Sequence, residues 1–282
     1  ITEAEMDAYK KANELMGDYD NYPKQITRKN LYEWVVNELL AIENQLTVDR
    51  NAFYYRVDKV AAQMLLARLY LNAEVYTGTA KWSDAATYAE KVMTSGYELC
   101  SDYSLLFMGD NNTNGAQNEI LLPILCDGID TQNYGAGLFL IASTHKDDMG
   151  NTGTSENWAG NRARRQLVEK FFPNSEPGNV DVPEMVAAAG DDRALFFGVD
   201  RTLSISEPTA FTEGFSCATF TNLSSTGAAG RDPKFIDMDV PFMRLAEAYL
   251  TYAEANARNG NDDNAKTAID VLRKRAHATT QP

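Results

Sequence analysis

Two aromatic residues, Tyr134 and Trp158, lie in a stretch from residue 127 to residue 161 that is rich in Gly, Asn and Thr. Each follows a side-chain amide, Asn133 before Tyr134 and Asn157 before Trp158. A flat apolar ring beside amides and hydroxyls suits a sugar, because sugar C–H bonds stack on the ring and sugar hydroxyls form hydrogen bonds around its edge. Alternatively, both rings pin the loop to the body of the protein, which is the commoner role of large aromatic residues. The residues alone leave both interpretations open.

Three arginines, Arg162, Arg164 and Arg165, follow Trp158 closely. Arginine side chains could donate hydrogen bonds to sugar hydroxyls. Their commoner role is to hold a loop against acidic neighbours. The predicted ligand-binding set consists of Tyr134, Trp158, Asn133, Asn157 and Arg162.

A second polar segment, Asp110 to Gly115, matches the opening of a calcium-binding loop. The side chains of Asp110, Asn112 and Asn114 alternate along it, so their oxygens can converge on a hard cation while the glycine allows a sharp turn. The twelfth position holds Leu121 rather than Glu, which rules out a complete EF-hand. The segment is therefore either an Asn-rich turn or a weak structural calcium site with further ligands from elsewhere, and no other cofactor is expected.

No set of catalytic residues can be assembled from the sequence. The two histidines, His145 and His277, lie outside metal-ligand motifs, and the chain contains no nucleophile elbow and no phosphate-binding loop. The cysteines Cys100, Cys126 and Cys217 have no paired spacing, which predicts small buried side chains rather than a metal site or disulfides. Glycoside hydrolysis needs only two carboxylates, and nothing among the 40 acidic residues nominates a pair.

Length and charge narrow the function classes. The chain has 282 residues, 44% of them apolar, which is enough for one large domain or two small ones with a buried core. Its net charge of −14 argues against nucleic acid and against an anionic membrane surface as partners. No apolar run approaches the length of a membrane span. The start of the chain has neither an initiator Met nor a signal-peptide pattern, so we expect a fragment or a processed chain.

Helical periodicity is strong at both ends of the chain and weak in the middle. We predict helices over Lys29 to Leu46, Val57 to Tyr76, Trp82 to Thr94, Asp239 to Arg258 and Asp263 to Arg275. The apolar face predicted for the first of them consists of Leu31, Val35, Leu39, Ile42 and Leu46. Glycines end several of these ranges, which predicts short connections and paired helices.

Two of the predicted helix pairs share sequence detail. The segments Leu66 to Leu71 and Leu245 to Leu250 each place an alanine beside a leucine and a tyrosine shortly after. The returning helices match at Ala85, Ala89 and Val92 in one pair and at Ala265, Ile269 and Leu272 in the other. Small residues let a second helix approach closely and the tyrosine fills the gap, as in tetratricopeptide helix pairs. Two ordinary antiparallel hairpins would share the pattern.

Residues 126–238 are predicted to form an irregular binding region between a helical region over 1–125 and a second helical hairpin over 239–282, all within one domain. Strand-like runs are Ile120 to Leu125, Gly137 to Ile141 and Phe215 to Phe220, and short helices are Gln166 to Phe172 and Pro183 to Ala189. The predicted fold class is mainly α, with tetratricopeptide-like hairpins supporting a loop-rich region with short strands.

Several short sequence blocks, spread over nearly the whole chain, are familiar in their order and spacing. They are Arg56 to Ala61, Leu65 to Ala73, Tyr103 to Met108, Asn118 to Ile124, Asn133 to Gly135, Trp158, Leu167 to Phe172, Ala189 to Leu195, Asp239 to Leu250 and Leu272 to Ala276. No single block is diagnostic, but their order and spacing resemble the SusD/RagB family of Bacteroidota surface lipoproteins, particularly its starch-utilisation member.

The resemblance implies a non-enzymatic glycan-binding protein, lipid-anchored at the outer-membrane surface. Such proteins sit on a SusC-type TonB-dependent transporter and deliver oligosaccharides to it. Tyr134 and Trp158 fall at two positions of the aromatic arc that cradles the glucan in the starch member. Asp110, Asn112 and Asn114 fall in a stretch similar to its calcium-binding region.

The chain departs from the family pattern in several places. The lipoprotein cysteine, the first tetratricopeptide-like hairpins and the C-terminal continuation are absent, so we expect a truncated SusD-like domain of about half the family length. Thr219-Phe220 stands where the starch member has a Lys-Trp pair. The leading hypothesis is binding of a starch-like α-glucan for uptake, without nucleic acid as a partner. A helical protein-interaction scaffold and a glycoside hydrolase are the alternatives.

Overall fold

The computed structural model describes residues 25–47 and 54–279 and is mostly helical. Its α-helices are α1 (Arg28–Glu43), α2 (Lys59–Leu71), α3 (Ala73–Thr77), α4 (Trp82–Met93), α5 (Ala136–Ala142), α6 (Arg165–Val168), α7 (Val182–Ala189), α8 (Leu245–Arg258) and α9 (Asp262–Arg275). Short 3-10 helices span Ser104–Phe107, Ala116–Asn118, Asp147–Met149 and Glu169–Phe171. The strands β1 (Ile120–Ile124), β2 (Phe196–Phe197), β3 (Ser216–Cys217) and β4 (Val240–Arg244) pair antiparallel as β1–β4 and β2–β3. The mainly α fold class is confirmed. Within the described ranges, no helix is long and apolar enough to cross a bilayer.

The two predicted helix pairs are α2 with α4 and α8 with α9, and α4 also packs on α8. Small residues line these contacts, because Ala67 in α2, Ala89 in α4 and Ala248 in α8 are fully buried in one apolar cluster. Tyr70 fills the gap beside α4, with its ring centroid 5.4 Å from that of Tyr88. The close approach of these helices therefore follows from small side chains at helical spacing.

The second hairpin differs from the predicted pattern by one residue. Ala265 and Leu272 are buried as predicted, but Ile269 is 41% exposed and Ala268 is buried instead. The observed set is spaced by three and then four residues, and the predicted set by four and then three. Both spacings follow one face of a helix. The alanine at 268 packs in the cluster that contains Ala253 of α8.

Helix α1 is buried along a face that shares Leu39 with the predicted one but is rotated away from Leu31 and Ile42. Tyr32, Val36 and Leu39 pack in the cluster shared with α2 and α4. Leu31 and Ile42, predicted to be buried, are exposed. Both faces are apolar at helical spacing, so periodicity alone could not choose between them.

The predicted helix over Val57 to Tyr76 is divided at Asn72. The N–H and the Nδ2 group of Asn72 both donate to the carbonyl of Arg68, at 3.3 and 3.0 Å. The backbone bond is an ordinary helical one, and the side-chain donor shares its acceptor at the point where α2 ends at Leu71 and α3 starts at Ala73.

The predicted helix over Asp239 to Arg258 begins later than expected, because Val240–Arg244 is strand β4. Pro241 lacks an N–H and disfavours helical geometry at the residue before it. The segment instead pairs with β1, with Ile124 opposite Val240. Helix α8 therefore starts at Leu245.

Residues Gly137 to Ile141, predicted to be strand-like, form most of helix α5. The buried side chains of Leu138 and Ala142 are one helical turn apart. A short apolar run is ambiguous by periodicity, which explains the wrong prediction. A Cβ at position 137 would overlap Cδ1 of Ile236, so the glycine lets α5 lie against that segment.

Buried amides add to the apolar packing of the irregular region. The Oδ1 atom of Asn222 accepts the N–H of Asp237 at 2.7 Å, and its Nδ2 donates to the carbonyl of Gly153 at 3.2 Å. Asn111 Nδ2 donates to the carbonyl of Asp239 at 2.7 Å. Both amides are fully buried. Side chains here satisfy the backbone groups that a regular ladder would pair elsewhere.

Glu119 joins strand β1 to β4 and to the last helix. Its fully buried carboxylate accepts hydrogen bonds from Arg244 at 3.0 Å and Arg275 at 2.8 Å. The N–H of Cys100 donates to the same group at 2.8 Å. The two guanidinium carbons lie 5.9 and 5.3 Å from the centre of the Tyr103 ring. The Glu119 carboxylate is fully desolvated and the Arg275 side chain is nearly so, while Arg244 is 25% exposed, so both arginines depend on the shared carboxylate.

Candidate functional site

The structure brings Tyr134 and Trp158 together on the surface. Their ring centroids are 6.1 Å apart and their planes are inclined by 36°. Tyr134 is 53% exposed and Trp158 is 38% exposed, which is more than a ring that only pins a loop to a core needs. Phe235 meets Tyr134 edge to face, with centroids 5.5 Å apart. We call Tyr134, Trp158 and Phe235 the aromatic platform.

The C-terminal end of α5 positions Trp158. The last carbonyls of a helix have no partner within it. The N–H of Trp158 donates to the carbonyl of Ala142 at 2.8 Å, and the N–H of Ala159 lies 3.0 Å from the carbonyl of His145. Ala159 has a φ of 53°, a left-handed conformation that costs about 1 kcal/mol for a residue with a Cβ. The turn that presents Trp158 is therefore strained and is held in place by α5.

Two charged residues that sequence analysis missed border the aromatic platform. Glu156 Oε2 accepts the indole N–H of Trp158 at 2.7 Å, and Oε1 lies 3.2 Å from Nζ of Lys234. Nζ of Lys234 also lies 4.8 Å from the centre of the Tyr134 ring, within cation–π range. The indole hydrogen bond, and then Lys234, lower the pKa of Glu156 below its ordinary value of 4.5. Glu156 is therefore ionised at neutral pH.

Sequence signals for these missed residues were weak. Glu156 lies two positions before Trp158, and that closeness was the one available indication. Lys234 and Phe235 come from a segment far along the chain, placed here by the bond from Thr154 Oγ1 to the carbonyl of Lys234 at 2.9 Å. Long-range contacts of this kind leave no periodic pattern.

The predicted amides Asn133 and Asn157 form hydrogen bonds within their own loops. Asn133 accepts the N–H of Gly135 at 2.9 Å and donates to the carbonyl of Thr131 at 3.0 Å. Nδ2 of Asn157 donates to Asp147 at 3.2 Å. In the described part of the chain, Oδ1 of Asn157 is buried without a hydrogen-bond partner. A sugar contact by either amide stays a prediction.

Arg162 is engaged with backbone carbonyls rather than with acidic neighbours. Its Nη1 donates to the carbonyls of Ala210 and Glu213, both at 2.7 Å. Its Nη2 donates to the carbonyl of Pro208 at 2.7 Å. Arg162 therefore anchors the loop over residues 208–213, and most of its donors are already in use. Its predicted contact with a sugar stays a prediction that this geometry does not favour.

The segment predicted as a calcium loop forms a turn held by its own side chains and by Ser225 from a distant segment. Asp110 accepts the N–H and the O–H of Ser225, at 2.9 and 2.6 Å. Oδ1 of Asn114 accepts the N–H of Ala116 at 3.0 Å, and Asn112 is exposed. These oxygens already accept hydrogen bonds, so the arrangement does not fit a calcium loop and the calcium site stays a prediction. Among the residues that the structure describes, no three His, Cys, Asp or Glu side chains group as metal ligands.

Burial limits the reactivity of the side chains best suited to chemistry. Nδ1 of His145 lies 2.9 Å from the carbonyl of Ile141 and must carry the hydrogen, because a carbonyl only accepts. Burial lowers the pKa of His145 below 6.5, so the ring is neutral at pH 7. Cys100 and Cys126 are buried and Cys217 is partly buried, and burial raises the pKa of each thiol. The prediction of small buried thiols is confirmed for the first two.

Comparison with known proteins identifies similar sequences and folds. The model of the SusD family matches residues 183–282. The starch-binding protein SusD of Bacteroides thetaiotaomicron is 39% identical to this chain over 292 aligned residues, which cover 92% of this chain and 53% of that protein.

Solved structures resemble the fold at lower identity. A SusD-like protein from Bacteroides fragilis has a TM-score of 0.62 at 18% identity, over 90% of this chain and 54% of that one. A laminarin-binding SusD-like protein has a TM-score of 0.61 at 17% identity, over 90% and 55%. A structure described with a xylogluco-oligosaccharide has a TM-score of 0.60 at 20% identity, over 89% and 50%. The chain spans about half the length of these relatives.

Proposed function

The chain belongs to the SusD family, and from this premise we propose that the protein binds a starch-like glycan at the cell surface without cleaving it. The observation that carries the proposal is the exposed pair Tyr134 and Trp158, with planes inclined by 36°. Sugar rings stack their C–H faces on such aromatic surfaces. Two inclined rings suit a curved saccharide that contacts both.

An α-glucan is the proposed ligand class. The support is the 39% identity to a relative named for starch binding. The structural neighbours described with laminarin and with a xylogluco-oligosaccharide lie at 17% and 20% identity, so they support the fold and not the choice of glycan.

The proposed mechanism is passive capture and transfer. Family resemblance suggests a SusC-type TonB-dependent transporter in the outer membrane as the partner, and a lipid anchor as the means of attachment. Transfer requires that the glycan leaves easily, so we expect weak affinity, with a Kd of roughly 10 µM to 1 mM. Nothing in the aromatic platform needs a metal or an activated nucleophile for this task.

Substitution of Trp158 tests the proposal. In the full-length protein, we expect Trp158→Ala to abolish retardation in an amylopectin-containing native gel while the thermal unfolding midpoint is kept. Trp34→Ala is the matched control, because Trp34 is 58% exposed and lies on α1, away from the loop-rich region. The control should be retarded like the parent protein.

Three results would contradict the proposal. Retardation that survives Trp158→Ala would show that the aromatic platform does not bind the glycan. Release of reducing ends from starch by metal-free protein would indicate a glycoside hydrolase. A glycan array without hits, together with recovery of a protein partner, would favour an interaction scaffold.

A further inference from the structure

The aromatic platform carries a balanced pair of charges at its edge. The side chain of Glu156 is 20% exposed and that of Lys234 is 36% exposed, so both are accessible from the surface. Their charged atoms lie 3.2 Å apart. The ammonium of Lys234 therefore lies beside the aromatic platform with its charge already compensated by Glu156.

Glu156 is tied to both aromatic rings through different partners. One of its oxygens accepts the Trp158 indole N–H at 2.7 Å, and the other engages Lys234, whose ammonium lies 4.8 Å from the Tyr134 ring centre. A carboxylate can satisfy these two groups at once because it offers two oxygens. Glutamine at this position would keep one acceptor for the indole and would lose the charge.

We propose that Glu156 makes the aromatic platform selective for uncharged saccharides by neutralising Lys234. The inference rests on the proposed function, since it concerns the ligand class of the same surface. A saccharide carboxylate that approached the platform would meet the negative charge of Glu156 and would have to displace it from Lys234. A neutral saccharide meets no such opposition.

Asp232 also lies near Lys234. Its backbone hydrogen bonds, helped by the nearby ammonium, lower the pKa of its carboxylate, but the accepting oxygen is engaged with the backbone. The carboxylate of Asp232 accepts the backbone N–H groups of Lys234 and Phe235, both at 2.8 Å. Within the described residues, Glu156 is the carboxylate that forms the ion pair with Nζ of Lys234. Removing the charge of Glu156 therefore leaves the ammonium available to an anionic ligand.

The test compares Glu156→Gln with a matched charge control in the full-length protein. Glu254→Gln is that control. Glu254 forms an exposed ion pair with Arg258 at 2.8 Å on α8, and its substitution removes the same charge. Mobility is measured in native gels that contain amylopectin or polygalacturonate, each relative to a plain gel. We expect Glu156→Gln to bind polygalacturonate about fivefold more tightly than the control, as one exposed ion pair allows.

Further measurements identify the group responsible. The gain should disappear in Glu156→Gln/Lys234→Gln and in added salt, since an exposed ion pair is screened. The ratio of polygalacturonate binding to amylopectin binding should rise in Glu156→Gln, since the freed ammonium of Lys234 attracts the anionic ligand and not the neutral one. Equal polygalacturonate binding by Glu156→Gln and the control would overturn the inference, as would a gain that persists without Lys234. By contrast, absence of amylopectin binding in the parent protein would defeat the proposed function. The comparison of polygalacturonate binding between Glu156→Gln and the control could still be made.

Discussion

The helical hairpins and the loop-rich region over residues 126–238 both contain buried apolar clusters, but they differ in how far they also rely on single polar contacts. In the hairpins, apolar residues such as Ala67 and Ala89 recur at helical spacing and share one cluster. The loop-rich region has an apolar cluster around Phe215, and in addition single polar side chains fasten distant backbone groups, as Asn222 does with Asp237 and Arg162 does with Pro208. Apolar packing spreads its stabilisation over many contacts, whereas a buried polar contact depends on one partner.

The aromatic platform belongs to the second kind of structure. Trp158 is held by the carbonyl of Ala142 and by the carboxylate of Glu156. Tyr134 and Trp158 remain exposed, whereas Phe235 is partly buried against the apolar cluster that contains Leu138. Changes at the exposed rings of Tyr134 and Trp158 should therefore lower binding more than stability, and changes in the hairpin half should lower stability alone.

The largest expected effect lies at the buried carboxylate of Glu119. Its replacement by alanine leaves Arg244 and Arg275 without their shared partner in a desolvated site. We expect Glu119→Ala to lower the free energy of unfolding by about 3–5 kcal/mol. Urea denaturation of the full-length protein measures this loss.

The control for that loss is an exposed ion pair on the same scaffold. Glu254→Ala removes an i,i+4 pair with Arg258, and we expect a loss of about 0.3–0.5 kcal/mol. A loss of similar size in both variants would show that the Glu119 network does not fasten the scaffold as described.

A smaller, pH-dependent effect is expected at Asp239, where the two regions meet. Asp239 is 1% exposed, and burial raises its pKa from 3.8 to about 6, against the opposing hydrogen bond from the N–H of Cys126. The folded state thus favours the protonated form. The free energy of unfolding should fall as pH rises from about 4 to about 6, by roughly 1–3 kcal/mol, and stay level above that range.

Asp239→Asn removes this titration while keeping an acceptor for the N–H of Cys126. Relative to the variant, the parent protein should gain stability when the pH is lowered from 7.5 to 5. Unfolding curves at both pH values measure the difference. A difference that is the same at both values would mean that Asp239 is not protonated near pH 6 in the folded state.

The smallest effect is expected in the turn behind Trp158. Ala159→Gly relieves the left-handed strain at a φ of 53°, and we expect a gain in unfolding free energy of up to about 1 kcal/mol. Glycan affinity should be unchanged, since the N–H of residue 159 keeps its acceptors. Lower stability in the glycine variant would argue against strain at this position.

Sequence reasoning succeeded where one physical signal dominates. Helical periodicity located α4 and α9 closely, because their buried faces are regular. It failed for α5 and for β4, where a short apolar run and a proline carry competing signals. In such short segments, tertiary contacts decide between helix and strand.

The candidate site was predicted in part for a related reason. Tyr134 and Trp158 stood out because large aromatics are unusual in polar loop sequence. Their mutual distance and their charged neighbours depend on contacts between remote segments, such as the bond from Thr154 to the carbonyl of Lys234. Composition cannot report such contacts, so Lys234 and Phe235 emerged from the structure alone.

A crystal structure of the full-length protein with a neutral α-glucan oligosaccharide tests the central claim most directly. The account predicts sugar rings stacked on the exposed faces of Tyr134 and Trp158, with Glu156 still paired to Lys234. A saccharide bound elsewhere, with both rings uncovered, would contradict it.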